Sequence, residues 1–296
     1  MADFGLLIRI VAILFPLFAI AALGFAVART LKPDMGDINR LNMDVFIPAL
    51  VFGAMAGSDF RIGEYLPLAG AALVSIVALG LIGLGVAQAL KIAPKTLVPP
   101  MMFNNCGNIG LPLSVLAFGN DALAPAVVLF VVSNTLHYSY GAWLLDHRTK
   151  LTTLWRSPTI VATVAGLTVS MAGVALWEPL LTAVRMLGQI SVPLMLFALG
   201  VRLADARIAA LGFGIFGAAL RPLSGLLVAW LVLLAVPLPP REAGLLIVFS
   251  ALPPAVLNYI FAERYRQEPD KVASMVLVGN VASVLFLPIA LAIALR

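Results

Sequence analysis

Ten apolar runs follow one another along this chain with only short polar links between them, at residues 10–28, 45–56, 66–90, 97–118, 122–145, 158–177, 180–201, 208–236, 243–262 and 272–295. A helix needs about 20 apolar residues to cross the hydrocarbon core of a bilayer. Ten of them use up the 296 residues and leave no room for a separate soluble domain. With 62% hydrophobic and 11% charged residues, and a mean hydropathy of +1.05, the chain lies far from soluble globular composition. Backbone polar groups inside lipid must be satisfied within their own segment. The fold class that follows is an all-α polytopic membrane protein of ten transmembrane helices.

Charge sets the expected orientation. Links after the first, third, fifth, seventh and ninth runs hold 13 basic residues: Arg29, Lys32, Arg40, Lys91, Lys95, Arg148, Lys150, Arg156, Arg202, Arg207, Arg264, Arg266 and Lys271. The opposite side holds 5, at Arg9, Arg61, Arg185, Arg241 and Arg296. By the positive-inside rule both termini then lie outside the cytoplasm. Scattered positive-inside charge also accounts for the net +5, so no nucleic-acid partner is expected. Asp3 precedes the first run while Arg29 and Lys32 follow it. That is the reverse of a secretory signal peptide, and predicts a first helix that is retained. Trp143, Trp155 and Trp177 fall near run ends, as interfacial anchors do.

An internal repeat is visible. Residues 46–52, F-I-P-A-L-V-F, align with 191–197, S-V-P-L-M-L-F, at an offset of 145, and Leu111-Pro112 align with Leu252-Pro253 at 141. Two five-helix repeats result, residues 1–147 and 148–296. An odd number of spans per repeat inverts one half against the other, a transporter architecture with its site near the midplane.

Two runs are interrupted. Residues 104–112 read N-N-C-G-N-I-G-L-P and residues 250–258 read S-A-L-P-P-A-V-L-N. Amides, glycines and prolines at this depth break helices four and nine where protein or a cavity supplies partners. Pro112, Pro253 and Pro254 stop helix continuity. The half-helices that restart near Gly110 and Ala255 present unpaired N–H groups and a partial positive charge, suited to a carboxylate. Asn104, Asn105, Asn108 and Asn258 either complete that cage or satisfy the broken backbone. Gly107 and Gly110 allow close crossing and reach a ligand only through N–H groups. Arg221 either supplies a fixed positive charge or pairs with a carbonyl. Ser133, Asn134 and His137 share one helical face and either line the site, with His137 relaying protons, or pack helices. Gln189 and Ser191 are similar candidates before Pro193. Asp44 pairs with Arg40 or another basic residue, takes a proton during the cycle, or is simply solvated at the interface.

At these residues the chain resembles the auxin efflux carrier family. The likeness rests on 105–113, N-C-G-N-I-G-L-P-L, on 251–259, A-L-P-P-A-V-L-N-Y, on F-A-E-R-Y at 261–265, and on the I-P-A-L element at 47–50. That family comprises plant auxin exporters and bacterial relatives described as malate or malonate permeases. The resemblance implies helices four and nine crossing at their breaks, and a scaffold part and a transport part moving in an elevator-like way. It also implies a homodimer, with substrate beside an asparagine matching Asn105. One departure lies at Gly279-Asn280, where many bacterial members carry Ser-Thr.

Several chemistries are missing. No phosphate-binding G-x-x-x-x-G-K-[ST] loop is present, so ATP does not drive the chain directly. No His, Cys and carboxylate cluster has metal spacing, and no nucleophile and base pair points to an enzyme. No metal or cofactor is expected, and the lone Cys106 excludes an internal disulfide. The function expected is secondary transport of a small organic anion, with proton or sodium coupling open. A sodium-coupled organic-anion or bile-acid-type symporter is the alternative within transport, and a polytopic receptor or enzyme the alternative outside it.

Overall fold

The computed structural model describes residues 2–57, 60–148, 157–204 and 208–295. Lys150, Trp155, Arg156, Arg207, Arg296 and the side chain of Asp3 lie outside the described residues. Everything regular in those residues is helical. In chain order the helices are α1 (Ala2–Leu31), α2 (Gly36–Leu41), α3 (Ile47–Met55), α4 (Ile62–Leu90), α5 (Pro94–Met102), α6 (Leu111–Phe118), α7 (Leu123–Leu136) and α8 (Ala142–Leu145). They continue as α9 (Pro158–Met171), α10 (Glu178–Ala204), α11 (Leu211–Ala235), α12 (Pro240–Ala251), α13 (Val256–Arg264) and α14 (Pro269–Ala294). Three π-helical turns, Asn42–Phe46, Cys106–Gly110 and His137–Gly141, join α2 to α3, lead into α6 and join α7 to α8.

Among the described residues, six stretches are long and apolar enough to cross a membrane: most of α1, all of α4, the Asn120–Leu145 stretch through α7 and α8, and α10, α11 and α14. The other four apolar runs are helical but bent, divided or short. The run at 158–177 ends as helix at Met171, because Gly173 takes φ +62° and its N–H bonds back to the Ser170 carbonyl, the glycine stop of a helix C-terminus. Fourteen residues rise about 21 Å, well under a bilayer core.

The helices pack in two sets, each drawing elements from both halves of the chain. α1, α3, α9 and α10 form one, with α1 lying along α10 and α3 held between α9 and α10. α4, α5, α7, α11, α12, α13 and α14 form the other, around the α11–α14 and α4–α5 contacts. Glycines set the closest approaches within each. A Cβ at Gly24 would strike the Phe197 carbonyl and one at Gly200 the Ala21 carbonyl, so α1 and α10 touch backbone to backbone. Close packing of this kind is the main adhesive between helices where lipid removes the hydrophobic drive.

The buried core runs through both sets, with Leu17, Val51, Leu111, Met195, Leu245 and Leu287 almost fully enclosed. Apolar side chains on the outside, such as Phe15 of α1, Trp230 of α11 and Leu285 of α14, are well exposed, as lipid-facing positions are. At one end the Thr96 hydroxyl donates to Glu268 at 2.6 Å, tying α5 to the start of α14. The Lys271 ammonium, then Thr96, hold the Glu268 carboxylate below its ordinary titration range.

Candidate functional site

The two polar interruptions meet. α5 stops at Met102 and α12 at Ala251, and the links that follow pair as one antiparallel bridge, Asn104 opposite Pro254. Asn105 N–H donates to the Pro253 carbonyl at 2.8 Å, and Ala255 N–H to the Phe103 carbonyl at 3.0 Å. Leu252 precedes a proline and is extended, with ψ 145°, as the clash with the proline ring requires. Each link thus supplies the backbone partners the other lost when its helix ended.

Side chains complete this exchange reciprocally. Asn104 Nδ2 donates to the Phe249 carbonyl of α12 at 2.5 Å, and Asn258 Nδ2 donates to the Phe103 carbonyl at the end of α5 at 2.9 Å. Arg221, fully buried on α11, donates through Nη1 to the Ser250 carbonyl at 2.6 Å. A cation on the last carbonyls of a helix is favourable because that end carries partial negative charge. Gly225 makes the approach possible, since a Cβ there would collide with the Ser250 carbonyl. Asn105 Nδ2 donates to Asn280 Oδ1 at 2.8 Å, while Asn280 Nδ2 donates to the Pro254 and Val276 carbonyls. Asn280, noted in the sequence only as a departure, is therefore the latch between the first link and α14.

Beside the crossing lies a cavity of about 430 Å³. Its walls come from both helix sets: Asn42, Asp44, Thr159, Met195 and Arg202 on one side, and Asn104 to Asn108, Ser133, Asn134, His137 and Ala255 to Leu257 on the other. The starts of both restarted helices face it. Their first N–H groups, at Cys106, Gly107 and Asn108 and at Val256 and Leu257, have no carbonyl one turn back in their own helix. All three π-helical turns contribute lining residues as well. Such turns expose backbone and recur at functional sites.

The predicted residues separate into three groups. Asn104, Asn105, Gly107, Asn108, Asn134 and His137 line the cavity. His137 is stacked on Phe103, with ring centres 4.2 Å apart, a contact that Gly141 admits by lacking a Cβ. His137 Nε2, Asn258 Oδ1 and Asn104 Oδ1 are buried without hydrogen-bond partners among the described residues. Asn258, Arg221, Pro112, Pro253 and Pro254 instead build the crossing behind the cavity wall. Gly110 packs against Phe249 and Leu252.

Gln189 is not brought to the site. It is exposed on α10, one residue beyond Gly188, which packs on Leu50. The 100° step between successive helical residues turns it outward. Ser191, two residues on, points inward and donates to Asn42 Oδ1 at 2.9 Å. Asp44 lines the cavity and pairs with Arg40 at 3.6 Å in an exposed contact.

Lining residues that the sequence did not single out include Asn42 and Arg202. The buried pairing of Asn42 with Ser191 spans 149 residues of sequence. Arg202 entered only as a loop charge, yet it is the one Lys or Arg among the described residues that line the cavity.

A family described as "Membrane transport protein" matches this sequence over residues 9–154 and 148–291. No curated protein matches the chain closely enough to count as a relative.

Proposed function

Because the chain belongs to the membrane transport protein family, that of the auxin efflux carriers, a family of transporters and not of enzymes, we propose that it is a secondary transporter of a small organic anion bound beside the crossing. The observation that carries this reading is the convergence of two helix starts on one cavity between the two helix sets. Unpaired N–H groups at a helix start favour a carboxylate without a formal cation, and Asn105 and Asn108 add donors there. A rigid crossing within one set, facing a wall supplied by the other, supports alternating access by relative movement of the sets, in the elevator-like manner of the family.

The remaining elements of the reading are ten membrane segments in two inverted five-helix repeats, residues 1–147 and 148–296, in a bacterial inner membrane with both termini outside the cytoplasm. The mixed origin of each helix set supports the repeat, and the distribution of Lys and Arg supports the orientation.

The test is thermal stabilisation of the purified protein by a panel of mono- and dicarboxylates, with and without sodium and at two pH values. A ligand that binds only the folded state raises the melting temperature by mass action. At least one carboxylate is expected to do so. Stabilisation by neutral or cationic solutes alone would contradict the anion reading, and a strict sodium requirement would establish the symporter variant.

A further inference from the structure

A second cavity, of about 500 Å³, opens between the end of α10, α13 and the first half of α14. Its walls are mostly apolar, from Leu199, Leu203, Val276 and Leu277, and it shares Val256, Ile260 and Arg202 with the cavity at the crossing. Arg202 is the one Lys or Arg on either wall among the described residues, and each cavity has one carboxylate, Asp44 in the first and Asp270 in the second. Arg202 is half-buried and is in none of the ion pairs formed by the described residues. A half-buried guanidinium with no carboxylate partner among the described residues, facing two cavities, offers a planar pair of donors matched to a carboxylate.

We propose that Arg202 is the specificity-determining residue that recognises the substrate carboxylate, and that the second cavity receives the apolar remainder of the same molecule. The substrate class is then monocarboxylates with an apolar body, in preference to small dicarboxylates. One cation balances one carboxylate. A second carboxylate on a short ligand would face Asp44 or Asp270, or lose its hydration against Leu199, Leu203 and Leu277, and neither is compensated. Each methylene moved from water into the second cavity strengthens binding about fourfold. This inference rests on the crossing being an anion site, and adds to it which side chain reads the charge and where the rest of the ligand goes.

The experiment measures stabilisation of the full-length protein by straight-chain monocarboxylates from acetate to hexanoate and by malonate, succinate and glutarate. It compares wild type with Arg202→Gln, Arg202→Lys, Leu203→Trp and Asn108→Ala. Apparent affinity is expected to rise severalfold per methylene in wild type, with each dicarboxylate at least tenfold weaker than the monocarboxylate of equal length. Arg202→Gln should lose at least tenfold for every acid, and Arg202→Lys should recover part of that loss, a pattern that a merely structural arginine would not produce. Leu203→Trp, which fills the second cavity, should flatten the chain-length dependence. Tighter binding of dicarboxylates, wild-type affinity in Arg202→Gln, or an unchanged chain-length dependence in Leu203→Trp would overturn the proposal. Loss of binding in Asn108→Ala with wild-type behaviour of Arg202→Gln would overturn it while leaving the crossing as the anion site. An absence of carboxylate binding to wild type would remove both.

Discussion

Among the asparagines at the crossing, equal side chains have unequal freedom. Asn104 and Asn258 each commit Nδ2 to a carbonyl at the end of the opposite helix, and Asn105 commits its own to Asn280. Asn108 lines the cavity without bonding another described side chain or backbone group. The two roles open to these amides, ligand contact and repair of broken backbone, are thus divided among them. Asn108→Ala is expected to weaken carboxylate binding roughly tenfold to a hundredfold, the worth of a hydrogen bond to a charged group, with the ligand-free melting temperature unchanged. Asn105→Ala should in addition cost about 1–3 kcal/mol of stability, because Asn280 Oδ1 is left buried without its donor. Ligand titrations and ligand-free melting curves on both variants separate these outcomes. The residue types were legible in the sequence; their directions were not, since direction depends on partners as far as 175 residues away. The two arginines show the same limit. Arg221 stood out because it lies deep in an apolar run, but depth does not say which wall a side chain faces, and the structure turns it onto the Ser250 carbonyl. Arg202 lies at a helix end, where orientation rules account for a basic residue so readily that nothing local marks it as cavity lining.

At the scale of elements, apolar length and proline position predicted where helices lie and where two of them stop, because both act locally. The meeting of the stops is a tertiary fact. It depends on α11 and α12 approaching closely enough for Arg221 to cap α12, and Gly225 is the residue that allows it. Gly225→Ala would place a Cβ against the Ser250 carbonyl and the Arg221 guanidinium, and is expected to destabilise the protein by about 1–3 kcal/mol, the usual cost of overpacking. Gly212→Ala, on the same helix with open space around it, should be neutral or mildly stabilising, because alanine favours helix over glycine. Melting temperatures of the two variants provide the comparison. The run at 158–177 shows where apolar length misleads: it continues through Val174 and Ala175, but Gly173 has already turned the backbone out of helix, and hydropathy does not register a backbone angle.

For the whole molecule, the division into two packed sets is the feature with the largest functional consequence. Each set joins parts of both sequence halves, the cavity lies between them, and the hydrogen bonds of the crossing join elements of one set, while the Cys106–Gly110 turn and α6 also pack against α1 and α10 of the other. Movement of one set against the other would carry a ligand held at the crossing across the membrane without breaking the hydrogen bonds that hold the crossing together. The repeat at residues 46–52 and 191–197 hinted at this partition, because it pairs two segments that now lie in the same set, α3 and α10. The most direct test is uptake of a radiolabelled carboxylate, chosen by the stabilisation panel, into proteoliposomes carrying the wild-type protein or Asn108→Ala. Saturable uptake by wild type, at least tenfold lower in the variant at subsaturating concentration, is the predicted result. Saturable binding without uptake, or equal uptake by both proteins, would contradict transport through this site.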